Sequence, residues 1–402
     1  MWWKSVKKRR KSGVAGEFLS GIVDAALGRD AVLVAAVLFI SVLAATKNYS
    51  HFSKFDYGAQ PYHQVMERLA KAGWSGWSAS DITPAVKASP EVAHAGLYYF
   101  TIGVAHSVTG IRLGLVYPLL AAFFFVAAGL ALYGACRNGF GIDPVCSAFA
   151  AAWFLMLPAP NTVFVSRASP DVMMLFFAAL GLWMWARGAL VWCAVWSFLG
   201  ALCSPLMLGP AIIFGAGLLP AGSGKKKAGV ACRALLPPFA AFAGFLVPFA
   251  AGIPFEWLRG GALDSIAASF GANTGKGVDA FVGAFQVVWF PFLARALRRN
   301  GREWPLVLPA LVVLLFGLVL SQDWAALVFA CGFVSVLPAA AAYFEELSGK
   351  KSGFGYALAS MVLMLFLLDT NMPTERWLEA GLWRYLVAIS VLFYNEWRIS
   401  RA

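Results

Sequence analysis

Two short stretches gather the residue types that group-transfer chemistry needs. The first is Ser50-His51-Phe52-Ser53-Lys54-Phe55-Asp56-Tyr57-Gly58-Ala59-Gln60-Pro61-Tyr62-His63. A carboxylate at Asp56, flanked by aromatics that exclude water, can take a proton from a hydroxyl. Lys54 and His51 can hold a phosphate, and His63 closes the same cluster as a further substrate contact. The aromatics equally suit an interfacial loop at headgroup depth, with its charges in water. The second stretch is Ser166-Arg167-Ala168-Ser169-Pro170-Asp171. Arginine binds phosphate bidentately. Pro170 and Asp171 also read as an ordinary helix start, with proline near the first turn and a carboxylate at the positive end.

Other polar positions are more scattered. His94 stands in Ser89-Pro90-Glu91-Val92-Ala93-His94, and Arg376 in Asp369-Thr370-Asn371-Met372-Pro373-Thr374-Glu375-Arg376. Both are candidate substrate contacts, as are Arg384 and Asp323. The glycine-rich stretch 252–282 suits either a mobile cover or a plain connector. Some motifs are absent. Gly222-Ser223-Gly224-Lys225-Lys226-Lys227 lacks the spacing of a phosphate-binding loop, and no His-Glu-x-x-His occurs. The four histidines are too dispersed for a metal site.

The elements that must position these residues are apolar. Of 402 residues, 60% are hydrophobic and only 13% charged, about half the charge of an ordinary soluble domain. Apolar runs fill most of the chain and are apolar on every side. They exclude a soluble enzyme, a disulfide scaffold, a disordered chain and an outer-membrane barrel. The net charge of +12 reflects basic clusters between apolar runs, a topology signal rather than a nucleic-acid footprint. The six cysteines lie in or beside those runs and read as buried small hydrophobes.

The reading is all-α: a polytopic integral membrane bundle of about twelve transmembrane helices. Residues 1–30 form a basic amphipathic cytoplasmic segment, and 31–402 the transmembrane domain. The first span is 31–45. Later ones lie near 113–136, 144–163, 170–187, 189–204, 206–220, 231–251, 283–297, 305–320, 324–344, 354–369 and 378–396. The pair 189–204 and 206–220 reads either as two spans or as one helix broken at Pro205 and Pro210. Residues 46–112 form the outer loop carrying the candidate site. Its 46–93 part is expected to be ordered and partly helical, and Ala95–Thr109 to be re-entrant or interfacial. With the N-terminus inside, the inner loops hold Arg137, Arg187, Lys225–Lys227, Arg233, Arg295, Arg298, Arg299, Arg302, Lys350 and Lys351, as the positive-inside rule requires. Both termini are then cytoplasmic, the protein lies in the plasma (inner) membrane, and Asp56 and Asp171 share the outer face.

The order of these features resembles the GT-C superfamily of polytopic membrane glycosyltransferases. An early Asp56 follows the first span. Then come His94-Ala95-Gly96-Leu97-Tyr98-Tyr99-Phe100, the span Leu113–Cys136, the inner loop Arg137-Asn138-Gly139-Phe140-Gly141, and the outer Ser166-Arg167…Pro170-Asp171. The likeness is strongest over about residues 31–220. It implies transfer of a sugar from a polyprenyl-phosphate donor to a lipid or glycan acceptor on the outer face, with inversion. The family's first acidic position falls on Asp56, as base, and its second on Asp171, which orients the acceptor or a metal. Arg167, Lys54 and His94 are then the phosphate contacts. No soluble C-terminal domain follows the spans, which favours a small lipid or glycolipid acceptor. No cofactor is required by the residues, and a divalent metal on the phosphate is compatible with the chemistry. Alternatives are a lipid or polysaccharide transporter, a polymerase-like membrane protein, or a non-catalytic envelope subunit of the same fold.

Overall fold

The computed structural model describes residues 96–157, 169–219, 227–250, 282–298, 303–320, 324–349, 353–368 and 377–401, with a few helical positions between 32 and 40. Everything regular among them is helical. In a bilayer this follows from the backbone, whose polar groups have no water to bond and must be satisfied within the segment. Side-chain hydroxyls do the same. Thr101, Ser197 and Ser390 each donate to the carbonyl four residues earlier, at 2.8 Å.

Helix α1 is Gly96–Thr109 and α2 is Leu113–Gly134, which ends in a π-helical turn Ala135–Phe140 closed by Gly141 at φ 78°. Helices α3 (Pro144–Met156), α4 (Asp171–Ala186) and α5 (Leu190–Ala201) follow. A 3-10 turn, Pro205–Met207, leads into α6 (Leu208–Ala216), and then comes α7 (Lys227–Ala250). A short helical stretch from residue 282 breaks at the 3-10 turn Gln286–Val288 and resumes as α8 (Trp289–Arg298). The chain ends with α9 (Trp304–Leu320), α10 (Trp324–Ser348), α11 (Gly353–Leu367) and α12 (Trp377–Arg401).

Close contacts give the direction of each helix. Phe124 meets Phe176, and Cβ atoms added at Gly134 and Gly139 would press on Trp183 and Ala186, so α2 and α4 run parallel with α3 returning between them. Helix α6 turns back on α5. Gly200 packs on Met207 at the turn, while Phe214 accepts a 2.8 Å hydrogen bond from the Trp185 indole at the far end of α4. The segment 189–220 is therefore a helical hairpin with two legs, not one broken helix. Helix α7 runs antiparallel to α6: Gly215 faces Ala234, and Gly244 faces Phe198 and Ala201. Helix α1 does not cross. The Leu97 amide donates to the Leu202 carbonyl at the turn end of α5 (3.3 Å), and Gly110, at φ 69°, delivers α1 straight into the same end of α2.

The bundle thus has two ends, one holding Asp171 and the other Arg295. Helix α10 is its axis, with 94% of its apolar span buried. Most of α4 is buried too. At the periphery, Leu115, Leu119 and Phe123 on α2 and Leu235, Phe239 and Phe242 on α7 are exposed. Such stripes spaced three or four residues apart need an apolar solvent. Glycines let the backbones approach, as membrane helices require: a Cβ at Gly209 would collide with the Cys331 sulfur.

Among the described residues, three helices are long and apolar enough to cross a bilayer: Leu113–Phe140, Gly229–Val247 and Val328–Ser348. Several expected spans are shorter apolar helices, among them Pro144–Met156 and Leu190–Ala201. At 1.5 Å per residue, a 12-residue helix covers only about 18 Å. Five cysteines are buried and unbridged, as their surroundings predict, but Cys232 is exposed on α7.

Candidate functional site

Of the sequence-derived site residues, Asp171 and Arg384 lie within the described structure. Asp56, Lys54, His51, His63, His94, Arg167 and Arg376 lie outside the described residues, as do Asp323, the 46–93 loop and the N-terminal segment. Arg384 lies within α12, as the span 378–396 implies, with its guanidinium over the Trp383 ring at 5.4 Å.

Asp171 opens α4 and is half-buried. Pro170 precedes it in αR geometry and starts the helical path. The Ser169 hydroxyl donates to Asp171 Oδ2 at 2.8 Å and accepts from the Asp171 amide at 3.3 Å. The Ser169 carbonyl accepts from the Val172 amide, and the Pro170 carbonyl from the Met173 and Met174 amides. The carboxylate thus sits at the positive end of a helix, where negative charge is favoured. It also makes a hydrogen bond of the kind it would make to a substrate hydroxyl. Ser169 was visible in the sequence as a neighbour, but its role as the hydroxyl holding the carboxylate was not.

The surroundings come from the hairpin. Cys203, just past α5, is close enough for the Asp171 charge to act on it. Ser204 caps the 3-10 turn that follows, accepting from the Leu206 amide. The start of α1 is tied to the same turn through Leu202. The first turn of α4, the α5–α6 reversal and the start of α1 therefore converge at one end of the bundle. Both readings of Asp171 survive in this geometry. It favours its own helix, and it presents a carboxylate where three segments meet.

The opposite end carries different electrostatics. Arg295 bonds Glu303 through Nε and Glu346 through Nη1, each at 2.7 Å. Arg298 reaches Glu346 at 2.8 Å and Glu396 at 2.6 Å, and lies 5.4 Å over the Tyr343 ring. The Asp143 amide donates to Glu345 at 3.2 Å. These charges clamp α8, α10 and α12 together.

Neither a protein-family model nor a curated protein matches the chain. Solved structures do. The apo oligosaccharyltransferase of Archaeoglobus fulgidus matches with a TM-score of 0.50 at 13% identity, over 90% of this chain and 55% of that one. What the chain shares with that enzyme is the membrane-helical fold. Two more structures of the same archaeal enzyme score 0.49 at 12% identity. One, AglB in complex with an inhibitory peptide and a dolichol-phosphate, is matched over 89% of this chain and 56% of its own; the other, tethered to an acceptor peptide containing the NVT sequon, over 90% and 54%. The chain spans about half the length of the structures it matches, and at such identity what they share is the fold.

Proposed function

We propose that the chain is a membrane glycosyltransferase. It moves a sugar from a polyprenyl-phosphate donor to a lipid or glycan acceptor on the outer face of the plasma membrane, with inversion. The observation that carries this reading is the Asp171 carboxylate, hydrogen-bonded to a hydroxyl at the convergence of α1, α4 and the α5–α6 turn, in a chain that shares its membrane-helical fold with an oligosaccharyltransferase.

In the proposed reaction the acceptor hydroxyl oxygen attacks the anomeric carbon. The bond from that carbon to the phosphate oxygen breaks, and its electron pair leaves with the polyprenyl phosphate. Asp56 takes the hydroxyl proton. Asp171 orients the acceptor by accepting a hydrogen bond, as it now does from Ser169. Arg167, Lys54 and His94 balance charge on the leaving phosphate, with His51, His63 and Arg376 as further contacts. On this reading the Asp171 end faces outward, the Arg295 end faces the cytoplasm, and both termini lie inside.

The test is transfer in proteoliposomes supplied with polyprenyl-phosphate-linked hexoses and a lipid acceptor fraction. Asp56→Asn should fold and bind donor, yet transfer at least ~100-fold more slowly, the lower range for a lost general base. Near-normal transfer by that variant would overturn the base assignment. A wild-type protein that transfers from no donor would favour a non-catalytic subunit instead.

A further inference from the structure

Helix α1 hands over to α2 at a corner held by short-range hydrogen bonds. The Gly110 amide donates to the His106 carbonyl at 2.9 Å, and the Ile111 amide to Thr109 Oγ1 at 3.3 Å. His106 Nδ1 lies 2.6 Å from the Ile111 carbonyl oxygen. A carbonyl can only accept, so Nδ1 carries the proton and the outer ring nitrogen, Nε2, is left for another partner. Arg112 is the next residue, so its backbone adjoins the carbonyl that holds the imidazole. Its side chain is exposed and makes no hydrogen bond or ion pair among the described residues. Neither α1 nor the first turn of α2 contains an acidic residue to balance it. The corner therefore sets a permanent cation and a basic imidazole side by side at the surface.

The helix below carries the matching apolar surface. Leu115, Leu119 and Phe123 stand three, seven and eleven residues after Arg112, a spacing that puts all four on one helical face. Those three are each more than half exposed, whereas Val116, Tyr117 and Phe124 are buried in the bundle. The apolar helical path from Leu113 to Phe140 has 28 residues, about 42 Å at 1.5 Å each, against a hydrocarbon core about 30 Å thick. A centred helix then holds the corner about 6 Å outside the core, at the depth of lipid phosphates, with the stripe among the acyl chains. A cation above a lipid-facing apolar track complements an anionic lipid, phosphate at the top and chain beneath. The corner is also set apart from Asp171. His106 lies nine residues along α1 from Leu97, the residue tied to the α5–α6 turn, or about 14 Å of helix. That separation, and the outward face of the track, favour a resident bilayer phospholipid over a lipid phosphate reacting beside Asp171.

We propose that the α1–α2 corner binds the phosphate of an anionic phospholipid through Arg112 and His106, with an acyl chain lying along Leu115, Leu119 and Phe123. Arg112 supplies the charge and a fork of donors, and the protonated imidazole adds Nε2–H. This holds whether or not the chain transfers a sugar. The experiment uses the full chain in phosphatidylcholine nanodiscs at about pH 6, where an ordinary imidazole is charged. Each preparation carries a minor fraction of one lipid with a photoactivatable acyl chain: phosphatidylglycerol, phosphatidylcholine or polyprenyl phosphate. Peptide mapping reads the labelling of residues 113–123. On the wild type, phosphatidylglycerol should label that stretch about tenfold more than phosphatidylcholine, the equivalent of one hydrogen bond to a charged group. Arg112→Gln should bring the two lipids level, and Arg112→Lys should keep part of the preference. His106→Asn, whose amide can still donate to the Ile111 carbonyl, should lose part of it and melt as the wild type does. Equal labelling by the two phospholipids on the wild type would overturn the site. So would an Arg112→Gln protein that melts normally and keeps the full preference. Stronger labelling by polyprenyl phosphate than by phosphatidylglycerol would overturn the phospholipid as occupant. Should Arg112→Gln fail to fold, the wild-type ratio and His106→Asn decide on the same terms.

Discussion

The Ser169–Asp171 contact ranks the residues around it. Ser169→Ala removes one hydrogen bond to a charged group, a loss of roughly 1.5–3 kcal/mol at most, and leaves the carboxylate in place. Its expected effect on transfer is smaller than that of Asp171→Asn, and kcat measured for both in one preparation checks the order. Arg295 poses a different question. Its ion pair with Glu303 is nearly dry, at 10% and 4% side-chain exposure. Removing one partner of a buried pair strands the other charge, at about 3–5 kcal/mol. Arg295→Ala should therefore lower the melting temperature sharply, and Arg295→Ala/Glu303→Ala less than Arg295→Ala alone; thermal unfolding in detergent reads both. The sequence revealed these residues unevenly. Asp171 stood out because its partner is two positions away. Arg295 and Arg298 read as inner-loop charges because Glu346 and Glu396 are 51 and 98 residues distant from them. Arg112 gave no signal, since α2 is apolar on every side and the face it turns to lipid is set by the helices packed against it.

Among the elements, apolar run length located α2 to α12 well, and composition said little about how they turn. Pro205 and Pro210 suit a hairpin as readily as a kink; the Trp185–Phe214 hydrogen bond decides for the hairpin. Helix α3 starts where its run does, at Pro144, because Asp143 caps it by accepting from the Val145 amide at 2.8 Å, whereas α4, α5 and α6 are shorter than their runs at both ends. The small-residue contacts yield a paired prediction. A Cβ at Gly139 would stand 2.6 Å from that of Ala186, whereas at Gly355 it would meet nothing within 4 Å. Gly139→Ala should destabilise by about 1–3 kcal/mol through overpacking, while Gly355→Ala should be neutral or stabilising by up to about 1 kcal/mol through helix propensity. Melting of the two variants side by side tests this. Cys232 offers a check on the outer surface of α7: a lipid-soluble maleimide should label it and leave Cys136, Cys193, Cys203 and Cys331 unmodified.

At the scale of the molecule, the alternating directions of the helices agree with the charge asymmetry read from the loops. A cysteine placed at position 226 should accordingly react with an impermeant maleimide only from the cytoplasmic side; labelling from outside would invert the orientation. Helix α10 bears on how such a chain comes to be assembled. It is wrapped by segments made well before it, and the Asp143–Glu345 hydrogen bond joins residues 202 positions apart. Helices α3, α4 and α6 therefore leave the ribosome with their future neighbour still unmade. Helix α3, at 13 residues, is shorter than the roughly 20 that span a bilayer unaided. Until α10 arrives, the nascent bundle holds short segments around an unfilled axis. A chain that stalls after α7 would keep its peripheral greasy helices and lack its keel, and quality-control proteases would meet it in that state.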